Sequence, residues 1–177
     1  MKPIKRIMFA LLVSFVGLCV PAYAQEEPKF SDNDGAVEPF IQDFKFNKDQ
    51  TIKITYAWKV IKPFSENWPK VFVHFTNADK KIFGGNDHAT PSPATTMWKA
   101  GEVKTAIADF KIPSTWGEGI YYIRIGMFRD KLRCSDIKGL VDGEKCFYIG
   151  KMIVEGKPGA ITNVKFELLK GMKQPVP

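Results

Sequence analysis

Between Thr51 and Val60 the chain reads TIKITYAWKV, and every second residue is apolar or aromatic: Ile52, Ile54, Tyr56, Trp58 and Val60. Lys53, Thr55, Ala57 and Lys59 fall between them. A period of two puts the first set on one face of an extended strand and the second on the other, so one face is packed and one wet. The same texture recurs in EPFIQDFKF (38–46), KVFVHFT (70–76), EVKTAIADFKI (102–112), GIYYIRIGMF (119–128), CFYIGKMIVE (146–155) and ITNVKFELL (161–169), all rich in β-branched and aromatic residues. Clusters of turn formers separate them: NKDQ, TNADKK, GGND, TPSP, PSTWGEG and GKPG. No stretch sustains the helical apolar period over three turns. The pattern predicts an all-β chain, an antiparallel immunoglobulin-like β-sandwich of about seven or eight strands. Residues 38–170 form that domain, 25–37 a flexible N-terminal arm and 171–177 a C-terminal tail.

The first residues break the alternation. MKPIKRIMFALLVSFVGLCVPAYA has a basic start (Lys2, Lys5, Arg6), an apolar run from Ile7 to Val20, and small residues at Ala22 and Ala24. This is the pattern of a secretory signal peptide cleaved after Ala24, which sends the protein to the periplasm or the extracellular space. The run is short for a membrane span, so the mature chain is not expected to cross a bilayer. Cys19 invites a lipid-attachment reading, but Leu18 before it is larger than that signal wants. The leader carries three basic and no acidic residues, so its removal lowers the net charge from +7 to +4. So modest a charge outside the cytoplasm argues against a nucleic-acid partner and leaves weak attraction to anionic envelope polymers.

Once Cys19 leaves with the leader, Cys134 and Cys146 remain. In an oxidising compartment they are expected to form one disulfide across RDKLRCSDIKGLVDGEKC, worth about 3 kcal/mol in the chain-entropy model.

The strings VFVHFTNADKKIFGGNDH, TTMWKAGE, GIYYIRIGMF and CFYIGKMIVEG together resemble an immunoglobulin-like β-sandwich domain of bacterial exported proteins. That domain also forms the extracytoplasmic tail of some membrane glycosyltransferases. Its pattern runs Phe-Val-His, a hairpin, Asp-His, a proline-rich loop, Trp-x-x-Gly-Glu, then Gly-x-Tyr and an apolar strand. The matching positions are Phe72, Val73 and His74, then Asp87 and His88, Trp98, Gly101 and Glu102, and Gly119, Tyr121 and Gly126, over residues 50–155. Ala100 and Glu118 replace prolines of the pattern, and the cysteine-bounded loop is particular to this chain. The resemblance implies the sandwich fold and a non-catalytic or glycan-contacting role.

Three groups of residues could carry chemistry. His74, Asp87 and His88 tie a β-hairpin together through hydrogen bonds, hold a divalent metal, since two imidazoles and a carboxylate suffice for a catalytic ion, or act in catalysis, which would need a further group within reach of the base. SDNDG (31–35) superficially resembles a calcium loop but lacks its twelve-residue spacing and closing glutamate, which favours a mobile acidic arm. Trp68, Trp98 and Trp116 fall at loop positions, where exposed rings could stack on sugars. For Trp98 a plug sealing one end of the sandwich is the favoured reading, whereas Trp58 alternates into the core. Gln25-Glu26 at the mature start rules out a copper oxidase that uses an N-terminal histidine. No Gly-x-Ser-x-Gly, His-Glu-x-x-His, phosphate-cradling glycine loop or zinc-type cysteine set is present.

These readings converge on an exported non-catalytic binding module for a glycan or envelope polymer, without a cofactor unless calcium or another divalent metal is bound. The alternatives are an interaction subunit docking on another envelope protein, and a metal-binding protein using His74, Asp87 and His88.

Overall fold

The computed structural model describes residues 34–129, the backbone of 132–133, and residues 146–169. The leader, most of the arm, Cys134 with the loop ahead of Cys146, and the tail lie outside the described residues. The expected disulfide therefore has only its Cys146 end in view, buried just ahead of a strand.

The elements are β1 (Ala36–Phe46), β2 (Thr51–Lys62), β3 (Lys70–Thr76), β4 (Ile82–Ala89), β5 (Val103–Lys111), β6 (Gly119–Arg129), the two-residue β7 (Leu132–Arg133), β8 (Phe147–Lys157) and β9 (Ala160–Glu167). Among the described residues one 3₁₀ turn, Thr95–Met97, interrupts them. They form two antiparallel sheets, ordered β1-β2-β5 and β4-β3-β6-β8-β9, with β7 on β6. The alternation that predicted β2 is borne out: Ile52, Ile54, Tyr56, Trp58 and Val60 are all fully buried. They meet Val71, Val73 and Phe75 of β3 and Ile123, Ile125 and Met127 of β6 in one apolar cluster shared by both sheets. Burying such side chains stabilises the fold by about 1.5–3 kcal/mol each.

Two boundaries differ from the sequence expectation. β1 begins at Ala36, and Asp34 to Val37 are buried, so these residues belong to the fold and not to an arm. The GGND cluster is no turn, because Gly84 to Asp87 lie inside β4. Glycine, asparagine and aspartate are poor strand formers, yet here the two glycines make room for rings. A Cβ on Gly84 would meet the Phe110 ring at 2.6 Å, and one on Gly85 would meet His74 Cδ2 at 2.7 Å.

Gln50 fastens the sheets at one corner. It turns the β1–β2 hairpin in the left-handed region (φ 66°). Its side-chain amide pairs with the backbone of Ile161 on β9 as a strand residue would: Nε2 donates to the carbonyl at 2.9 Å, and the Ile161 N–H donates to Oε1 at 3.1 Å. Gln50→Ala is expected to cost about 1–3 kcal/mol, because it orphans both backbone groups of Ile161. Urea unfolding of the two proteins checks this, and a midpoint within error of the parent would show that water replaces the amide.

Candidate functional site

The loop tryptophans do not offer themselves to a ligand. Trp68, Trp98 and Trp116 are 2%, 1% and 2% exposed. Their loops fold inward over the ends of the core, where each ring gains apolar contact and each indole N–H finds an acceptor, so burial leaves no polar group unsatisfied. Trp98 donates to the Pro93 carbonyl (2.8 Å) and packs edge-on against Phe64. Trp116 stacks on Tyr121 with centroids 4.2 Å apart, also contacts Phe75 and Phe110, and donates to the Phe83 carbonyl (3.3 Å). Trp68 donates to Asp34 Oδ2 at 3.0 Å. Trp68 and Trp116 are corrected from ligand contacts to core residues, and for Trp98 the plug reading replaces the ligand contact.

The same bond places Asp34 of SDNDG inside the fold. Oδ1 accepts from the Ser65 N–H and hydroxyl, both oxygens accept from the Glu66 N–H, and Oδ2 accepts from Trp68. Burial alone would raise the Asp34 pKa, but these donors outweigh it and hold the carboxyl below its ordinary value. Asp34 organises the β2–β3 loop. Thr95, fully buried, extends the network by accepting from the Trp68 N–H (2.7 Å) and donating to the Glu66 carbonyl (3.1 Å).

The hairpin residues separate by strand parity. His74 on β3 stands opposite Gly85 on β4, and Phe72 opposite Asp87. With no Cβ beneath it at Gly85, the imidazole reaches diagonally, and His74 Nε2 lies 3.2 Å from Asp87 Oδ1. His88, the next residue, turns to the opposite face of β4. Its Nε2 lies 2.6 Å from the Tyr56 hydroxyl on β2, and its Nδ1 lies 3.3 Å from the Asn86 carbonyl. Two of the three predicted residues therefore meet, and the third joins a different network. Among the described residues no three His, Cys, Asp or Glu side chains converge as a metal set.

Beyond His74 the outer face of the five-strand path continues through Arg124 to Tyr148, in register across β6 and β8. The Arg124 guanidinium lies 5.6 Å from the Tyr148 ring centre, but Arg124 is only 2% exposed and cannot meet a ligand there. The accessible part of this face is at its rim. An open depression of about 400 Å³ is lined by Pro69, Lys70, Asp87, His88, Ala89 and Phe128. Its floor is one register row, Ala89–Lys70–Phe128, across β4, β3 and β6. The Lys70 ammonium lies 5.7 Å from the Phe128 ring centre. Sequence reasoning had no signal for Lys70 and Phe128, because they are 58 positions apart and only strand pairing joins them. A second depression of about 420 Å³, beside Lys111, Ser114 and Gly159, includes Gln50, whose amide is already committed to Ile161.

No protein-family model matches the chain, and no curated protein matches it. Among solved structures, β-glucosidase 3B from Thermotoga neapolitana in complex with glycerol is similar over 70% of this chain and 17% of that one, at 17% identity and a TM-score of 0.32. A likeness at that level carries no argument about fold or activity.

Proposed function

We propose that the protein is an exported, non-catalytic binding module on an immunoglobulin-like β-sandwich, and that it takes a glycan or other envelope polymer in the depression at the β3–β4–β6 rim. The observation that carries the reading is the grouping there of an aromatic ring, an ammonium and a carboxylate around an open floor. Phe128 supplies an apolar face for sugar C–H surfaces, while Lys70 and Asp87 supply a donor and an acceptor for hydroxyl or acidic groups. The net positive charge favours an anionic polymer over a neutral one.

The test is a ¹H–¹⁵N titration with a panel of neutral and acidic soluble glycans. Saturable shifts are expected at Lys70, Asp87, Ala89 and Phe128, with affinity at least about tenfold weaker in Lys70→Ala and Asp87→Ala while both keep the parental melting temperature, since trimming a solvent-exposed group costs little stability. Undiminished binding in both variants, or a flat response to the whole panel, would overturn the reading.

A second reading, an interaction subunit, is favoured by Val103 and Ile107, which are 48% and 50% exposed on edge strand β5. A flat glycan panel together with a concentration-dependent sedimentation coefficient would favour it.

A further inference from the structure

We propose that the Tyr56–His88 hydrogen bond is a proton-operated latch: with His88 neutral it holds edge strand β4 against β2 of the other sheet, and protonation of His88 lets that end of β4 go. The inference stands whether or not the depression takes a glycan.

The geometry fixes the protons. His88 Nδ1 faces the Asn86 carbonyl, which can only accept, so Nδ1 carries the hydrogen and Nε2 is left as an acceptor. The Tyr56 hydroxyl, 2.6 Å away, therefore donates to Nε2. Tyr56 is fully buried, so its proton has no water to turn to. Burial also pushes its ionisation upward, although the Trp58 indole beside it works the other way, so the phenol cannot shed the proton instead. A proton arriving on Nε2 makes that nitrogen a donor, so the contact persists only if the hydroxyl turns to accept, which takes the buried phenol hydrogen away from the acceptor it has now.

The latch lies on a seam. Among the described residues β4 is hydrogen-bonded as a strand only to β3, and its other edge runs beside β5. That side is closed at one end by the Phe110 ring over Gly84 and the Trp116 indole on the Phe83 carbonyl, further along by Asn86 Nδ2 donating to the Asp109 carbonyl (2.8 Å), and at the far end by His88 on Tyr56. Losing the last contact leaves Asp87 to Ala89 with the β3 ladder alone, so that end frays more readily than the rest of β4.

The charges around His88 do not prevent the response. Asp87 on its own strand favours the cation but is shared with His74. Lys70 on β3 lines the same depression and opposes it. On β5, Ala106 stands opposite Tyr56, and the next inward cation, Lys104, is paired with Glu102 at 2.9 Å. On β6, Arg129 is paired with Glu66. Burial dominates and lowers the His88 pKa, against the Asn86 bond and Asp87. The neutral imidazole is thus the form the fold prefers. The stability it confers is complete above the ordinary imidazole value of about 6.5 and is lost as pH falls from there through the folded-state value.

The test follows the His88 ring nitrogens by ¹⁵N NMR from pH 8 to pH 4.5, together with amide-exchange protection factors along β4. The expected result is an Nδ1–H tautomer at neutral pH, then a loss of protection at Asp87 to Ala89 of about tenfold, in step with His88 protonation, while β2 and β6 stay protected. In Tyr56→Phe the step disappears and the His88 midpoint rises. Should that variant fail to fold, His88→Gln supplies the same comparison, and its β4 protection should not change with pH. A His88 that titrates without any change in β4, a step that survives either variant, or an imidazole that stays neutral until the whole protein unfolds would each overturn the latch.

Discussion

Replacing Trp116 with alanine is expected to destabilise the protein by about 3–5 kcal/mol, the range for removing a large aromatic side chain from a packed core. The ring is 2% exposed and touches Phe75, Phe110 and Tyr121, which come from β3, β5 and β6, so no single element can move in to fill the space. Its stack on Tyr121 adds a contribution beyond area burial. A melting temperature lower by about 10 °C or more, with the loss of near-ultraviolet tryptophan ellipticity, is the expected readout. A variant that melted with the parent yet lost a ligand would restore the ring to a binding surface and contradict its burial.

Asp34→Ala is expected to cost about 3 kcal/mol, because it strands the Trp68 indole N–H and the Ser65 and Glu66 donors around the β2–β3 loop. Asp34→Asn keeps one acceptor oxygen and should cost less. The pH dependence adds an independent check. The carboxyl is held below its ordinary value, so its contribution is present above about pH 3.9 and is lost as pH falls from there through the folded-state pKa. Acid unfolding of the wild type should therefore steepen in that window, and the Asn variant should lack the extra slope. Identical acid profiles would mean that the donors are satisfied without the charge.

The strands were legible because their signal is local. In β2 the residue two positions away reports which face is packed, and no distant partner has to be known. β4 was misread for the same reason. Its Gly84-Gly85-Asn86-Asp87 run is poor strand sequence on local grounds, and its justification lies in the Phe110 and His74 rings that occupy the space a Cβ would fill. His74 and Asp87 were correctly suspected of meeting. His88 was wrongly grouped with them, because adjacent residues on a strand face opposite ways and the sequence does not say that β4 runs through them.

What the sequence determined by itself is the all-β character, the positions of the long strands and the inward set of β2, since period-two alternation is a property of neighbouring residues. It also carried the pattern of a leader, which lies outside the described residues. The tertiary structure decided which loop residues are core. Trp68, Trp98 and Trp116 sit in turn-like sequence, and only the closing of two sheets gives each indole a pocket and an acceptor. It also joined Asp34 to Trp68, Tyr56 to His88 and Lys70 to Phe128. These pairs are 34, 32 and 58 residues apart. Strand register sets such meetings, and register depends on how whole strands bury their apolar faces together, not on either residue's neighbours.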